Sequence, residues 1–153
     1  KQTVAKYLDA LCEAYLIYKV PRFEIKGKGL LQTLNKYYAV DPCFAKVRLK
    51  KTILKDRSHW SENMVYLELI RRNKEVFIGK RNNLEVDFVA QRGDEKIYYQ
   101  VAASVLDPAT YEREFAPLKK IRDSYPKVVL TLDDYPMGEE GINQQNVIEW
   151  LLN

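Results

Sequence analysis

The sequence predicts a mixed α/β fold of the α+β kind, and three observations predict it. Strand-patterned runs separated by short polar turns fall at 75–79, 84–90 and 96–103. A helical stripe precedes them at 58–72, and a second follows at 107–125 before a further β-branched run, Lys127-Val-Val-Leu-Thr-Leu132. Apolar residues make up 46% of the 153-residue chain against 30% charged, enough for a buried core and too many for wholesale disorder.

Taken in order, Val4, Leu8, Leu11 and Cys12 recur at helical spacing from Thr3 to Glu13. Ala14-Tyr-Leu-Ile-Tyr-Lys-Val and Arg22-Phe-Glu-Ile-Lys, split by Pro21, read as a bent edge strand. Lys26-Gly-Lys-Gly29 is a basic turn, and Lys36-Tyr-Tyr-Ala-Val40 a short second strand. A helix followed by such a ribbon resembles the back half of a winged helix. Its first helices are absent and the chain opens on Lys1, so a piece of a longer polypeptide is expected. Residues 46–57 carry six basic residues against one acid and read as a solvated connector or a nucleic-acid-facing strip. The division expected is 1–57, a partial winged-helix segment with its basic connector, and 58–153, a second domain.

In that second part Ser58 to Arg72 is a helix with Ser58 or Ser61 as N-cap. Arg81-Asn-Asn83 and Gln91-Arg-Gly-Asp-Glu95 are turns between strands, so the first three strands form an antiparallel meander. Asp107-Pro108 opens a helix in the favoured cap-then-proline order, with Pro117 as a kink. That helix carries the chain across to the strand at 127–132, and Asn146 to Leu152 forms a last short helix. The order is α-β-β-β-α-β-α.

Composition removes several functions. With Cys12, Cys43 and a single histidine, His59, the chain cannot build a disulfide framework, a four-thiolate zinc site or any two-histidine mechanism. No apolar run is long enough for a membrane span, and a cytoplasmic location is expected. Lys and Arg number 25 against 21 acids, a net +4 that permits an anionic partner without requiring one.

Three side chains call for an explanation. Around the 58–72 helix, Ser61, Glu68, Arg71 and Arg72 mark a solvated face, whereas Glu62 falls beside Tyr66 and Leu69. A carboxylate among apolar neighbours is costly unless paired, bound to a cation or capping the first turn. Glu62 and Glu68 project about 120° apart, so they cannot serve one site. Asp87 lies in mid-strand beside Glu85, with Val86, Phe88 and Ala90 as the opposite, apolar face. Either that face is open to water, or Asp87 binds a cation or accepts a specific hydrogen bond. On the next strand a meander brings Gln100 beside Asp87, so Glu62, Asp87 and Gln100 converge between helix and sheet.

The order of elements, with Glu62 on the first helix, Glu85-Val-Asp-Phe-Val-Ala90 and Tyr99-Gln-Val101, resembles the PD-(D/E)XK nuclease superfamily. More closely, Thr3-Val, Tyr7-Leu8, Lys36-Tyr-Tyr, Asp41, Glu62-Asn63, Glu68-Leu69, Glu85-Val-Asp-Phe88, Tyr99-Gln-Val101 and Arg113-Glu-Phe resemble a domain of unknown function. That domain forms the C-terminus of bacterial and archaeal AAA+-type ATPases. The resemblance implies a restriction-endonuclease-like α-β-β-β-α-β core with a mixed sheet, preceded by a partial winged helix.

It also implies that Asp87 and Glu62 are the metal-binding acids, with Mg²⁺ the cation, and that Gln100 stands at the second acidic position. Ala102 stands where the superfamily carries its lysine, and Lys80 or Lys96 would have to take that part. Two acids hold the metal in the active pattern while the lysine stabilises charge on the scissile phosphate. Lacking both the second acid and the lysine, Glu62, Asp87 and Gln100 read as a vestigial catalytic site. The function implied is an accessory, degenerate nuclease-fold module for DNA or partner binding, without catalysis. The alternatives are an active Mg²⁺-dependent DNA nuclease and a purely structural or oligomerisation domain. No phosphate loop occurs in the sequence, so no cofactor is expected here and ATP would belong to the upstream ATPase domain, the implied partner in the same chain. Candidate DNA contacts are Gln2, Thr3 and Lys6 on the first helix, in the recognition position, and Lys26 and Lys28 at the ribbon tip. Asp9 and Glu13 favour a packing helix there instead.

Overall fold

A computed structural model describes residues 2–27, 29–44, 57–72 and 74–153, without the side chains of Gln2 and residues 32–34. Lys28 and the basic run at 46–56 lie outside the described residues. The chain runs α1 (Gln2–Glu13), β1 (Ile17–Glu24), β2 (Gly29–Ala39), α2 (Arg57–Arg71), β3 (Glu75–Arg81), β4 (Leu84–Arg92) and β5 (Glu95–Val101). It continues through α3 (Pro108–Lys119), β6 (Lys127–Thr131), β7 (Asn143–Asn146) and α4 (Val147–Leu152). The mixed α/β class is as predicted.

The seven strands of the described residues join one sheet in the order β2-β1-β3-β4-β5-β6-β7. The β3–β4–β5 meander is antiparallel, and the α3 crossover adds β6 parallel to β5. Helices α2 and α4 cover one face, where Val65, Tyr66, Leu69 and Val147 pack against Ile78, Phe88, Tyr99 and Leu130. On the other face Phe115 and Leu118 of α3 pack against Val86, Val89, Tyr98 and Val129. Asp107 caps α3 by accepting the Thr110 amide, and Pro117 lies inside that helix. No helix among the described residues is long and apolar enough to cross a membrane.

Five sequence expectations are corrected. β1 is not an edge strand: it pairs with β2 on one side and, in parallel, with β3 on the other through Arg22↔Ile78, Phe23↔Gly79 and Glu24↔Lys80. Pro21 is tolerated because the β1–β2 register breaks there, the partner jumping from Lys36 opposite Val20 to Leu31 opposite Arg22. The second strand runs from Gly29, well before Lys36. Glu68 is buried rather than solvated, held by Arg71 at 2.6 Å and Arg72 at 2.6 Å. Ser58 lies within α2, its hydroxyl accepting the Ala103 amide at 3.3 Å, and so does not cap it.

The fifth correction concerns β4. Phe77 pairs with Val89 but Gly79 pairs with Val86, so β4 holds one residue more than β3 over this stretch. This is a β-bulge at Asp87 and Phe88. It sends Val86 and Val89 to the α3 face and Phe88 and Ala90 to the α2 face, splitting the single apolar face the alternation predicts. Gly79 makes room for it: a Cβ there would lie 2.9 Å from both Val86 Cβ and Val89 Cγ2.

Candidate functional site

The β4–β5 ladder stops at Phe88↔Tyr99, beyond which β5 pairs only with β6. Asp87 and Gln100 stand at this fork and close it. The Val101 amide donates to Asp87 Oδ2 at 2.9 Å, and the Asp87 amide donates to Gln100 Oε1 in a longer bond of 3.4 Å. The hydrogen-bonding alternative for Asp87 is therefore realised, and its backbone partner lies on the neighbouring strand.

Above the fork, α2 lowers Glu62 onto the same spot, buried as the stripe of Tyr66 and Leu69 predicts. The capping alternative for Glu62 is not realised: α2 begins at Arg57, and no acidic residue lies in its first turn. The Tyr38 hydroxyl and the Lys36 ammonium both contact its Oε1, and His59 Nδ1 lies 3.7 Å from Oε2. Lys36 also stands 3.6 Å from Glu85 Oε1 and 3.8 Å from Asp87 Oδ1. Arg22 of β1 makes a close ion pair with Glu85. One ammonium thus meets three carboxylates from a helix and a strand, and it arrives from the ribbon of the first segment.

Gln100 is only partly in this company. Tyr98 and Ala102, two residues to either side, pack on the α3 face, and the Gln100 amide donates there to Glu114 Oε2 at 2.9 Å. Arg113 holds the other Glu114 oxygen at 2.8 Å. Glu62 and Asp87 therefore meet across Lys36, while Gln100 touches the Asp87 backbone and belongs to a second polar group behind the fork.

Burial, and then the charge of Glu62, push the Asp87 carboxyl up to about 7, against the pull of Lys36 and the Val101 amide. Burial works against the Lys36 ammonium, but Glu62, Asp87 and Glu85 together hold its pKa above the usual lysine value. The Tyr38 phenol is pushed up by burial and by Glu62, so it stays a hydrogen-bond donor.

A divalent ion does not fit this donor set as it stands. Among the described residues no three Asp, Glu, His or Cys side chains gather to hold a metal. The Gln100 carbonyl is turned to the Asp87 amide, and Lys36 already supplies positive charge between Glu62 and Asp87. Of the lysines expected to approach, Lys96 lies instead over the rings of Phe23 at 4.9 Å and Tyr125 at 5.3 Å. Lys80, paired in register with Glu85, makes no ion pair among the described residues. Ala102 is buried.

Sequence reasoning misses Lys36, Tyr38 and Arg22, because nothing local reports that β1 docks in parallel against β3. Glu114 carries a signal: it lies three residues from Tyr111 and four from Leu118 on the inward stripe. Of the candidate DNA contacts, Thr3, Lys6 and Lys26 are exposed. The Gln2 side chain and Lys28 lie outside the described residues.

Two curated proteins are similar to this chain, both uncharacterized. One, from Haemophilus influenzae, is 38% identical over 151 residues, covering 98% of this chain and 37% of the relative. The other, from Methanocaldococcus jannaschii, is 32% identical over 124 residues, covering 78% of this chain and 26% of the relative. The chain thus spans only about a third of the length of the curated relatives it matches. No family model matches the chain, and no solved structure does.

Proposed function

We propose that this chain is an accessory binding module in a longer cytoplasmic ATP-binding protein, built on a nuclease-type fold whose catalytic chemistry has been closed off. The carrying observation is the Lys36 ammonium held between Glu62 and Asp87, in the position a catalytic cation would need. The order of elements and the convergence of Glu62 and Asp87 beside the β4–β5 fork support the PD-(D/E)XK lineage. The shared length of relatives leaves room for an ATPase domain elsewhere in the polypeptide. The exposed apolar side chains on and after α1, Val4 at 62%, Tyr7 at 70% and Tyr15 at 80%, suit contact with such a neighbour.

The module binds DNA or a protein partner, and DNA is tested first. Calorimetry with Mg²⁺ and Mn²⁺ should give no binding heat, and plasmid nicking should be absent with Asp87→Ala indistinguishable from the parent. Duplex DNA binding should weaken steeply between two salt concentrations. Cleavage that Asp87→Ala abolishes would overturn the reading. Absence of duplex binding even at low salt would point to a structural domain.

A second reading, a Mg²⁺-dependent nuclease, is favoured by one observation: an ammonium does reach the acids, from Lys36 rather than from position 102. On that reading Lys36→Met abolishes nicking while the fold persists.

A further inference from the structure

We propose that the hollow between the β3–β4 turn and the C-terminal end of α3 is a phosphate-binding site. It encloses about 550 Å³ and is lined by Arg81, the turn residues Asn82 and Asn83, and Lys119, Lys120 and Arg122. No acidic side chain lines it. Lys119 is answered by Glu139 at 2.8 Å and Glu112 at 3.5 Å. Lys120 and Arg122 meet no carboxylate among the described residues.

Arg81 carries the argument. It closes β3, is largely covered, and its Nη1 is shielded from solvent with no hydrogen-bond partner among the described residues. A guanidinium keeps its charge and offers five donors in a fixed plane, and a buried donor of this kind ordinarily has an acceptor. The helix dipole accounts for cations at the end of α3, since Lys119 and Lys120 stand beside its last carbonyls. It does not account for Arg81, which lines the same hollow from another element.

Cations from two elements, with Asn82 and Asn83 in the same lining, match a ligand with several acceptor oxygens and more than one charge. A phosphoryl group has both, and an arginine fork binds it in two-point fashion. The hollow lies beside α3, whereas Lys36, Glu62 and Asp87 gather on the α2 side, so the inference needs neither metal nor nuclease ancestry. The phosphate belongs either to a free polyphosphate or to a nucleic-acid backbone, and only the second source rests on the binding reading above.

The test titrates the folded chain with pyrophosphate and, separately, with a short DNA duplex, using Arg81→Gln and the exposed double variant Lys120→Gln/Arg122→Gln. Pyrophosphate affinity should fall about tenfold to a hundredfold in each variant. If the backbone is the source, Arg81→Gln should also lower the slope of log affinity against log salt by about one. Variant-sensitive binding of pyrophosphate without duplex binding supports the site with a free ligand; variant-sensitive duplex binding supports the backbone. Absence of binding to both probes overturns it, as does pyrophosphate binding that neither variant weakens. Duplex binding that persists unchanged in both variants overturns the backbone as the source of the phosphate, while leaving the accessory-module reading in place.

Discussion

Lys36 on β2 and Asp87 on β4 face each other at 3.8 Å, with Glu62 in contact with the same ammonium. The acids are thereby balanced from inside the protein, with Arg22 serving Glu85 on the flank. Removing one partner of a buried ion group costs far more than the group contributes, because the other charges stay behind.

Lys36→Met should therefore destabilise the fold by about 3 kcal/mol at pH 7, with a smaller loss near pH 4, where the Asp87 carboxyl is protonated. The variant should also acquire a cation response the parent lacks, its thermal midpoint rising with added Mg²⁺. Melts at two pH values, with and without Mg²⁺, check both.

Asp87 gives the opposite sign. Its folded pKa of about 7 lies above its ordinary carboxylate value, so the native state holds the extra proton between those limits. Stability should fall as pH rises from about 4 to about 7, and the penalty should be fully present above that window. Asp87→Asn keeps an oxygen for the Val101 amide and removes the penalty. It should stabilise the chain by roughly 1–3 kcal/mol at pH 8 and by nothing near pH 4, read by denaturant unfolding across pH.

Glu68 behaves as a paired carboxylate. The Arg71 hydrogen bond, then Arg72, lower its pKa to about 2 against the effect of burial. Its contribution is fully present above the ordinary glutamate range and lost as pH falls toward 2. Glu68→Gln should cost about 1 kcal/mol at pH 7, the exposed Arg71 half being screened by water. Arg72 also donates to the Trp150 carbonyl at 2.7 Å, so loosening of α4 should accompany the loss, seen as faster amide exchange there.

Gly79→Ala tests the bulge. With 2.9 Å to Val86 and Val89, the added methyl forces the two strands apart at the point that aims Asp87. A destabilisation of about 1–3 kcal/mol is expected. The Asp87 carboxyl, followed by NMR, should titrate higher still as the hydrogen bond it accepts from the Val101 amide is disturbed.

The fold was readable wherever local chemistry set it. Asn82-Asn83 and Gly93-Asp94 mark the meander turns, and Asp107-Pro108 marks the start of α3. β7 escaped because Asn143-Gln-Gln-Asn146 has no apolar alternation: it is a strand only through its pairing with β6, and Gln144 is buried on the Thr131 hydroxyl. Glu62 and Asp87 announced themselves as acids in apolar text. Their counter-charge did not, since Lys36 reads as an ordinary strand lysine until β1 is docked against β3. The bulge was equally silent, because one extra residue leaves the alternation of Leu84 to Ala90 intact on paper.

The parallel seam between β1 and β3 makes the first forty residues the keeper of the acids' neutrality. A polypeptide trimmed at residue 58 would retain the carboxyl groups yet forfeit Lys36, Tyr38 and Arg22 together. Conversely, any pull that lifts the ribbon from Ile78–Lys80 would unmask a concentrated negative charge at the centre of the sheet.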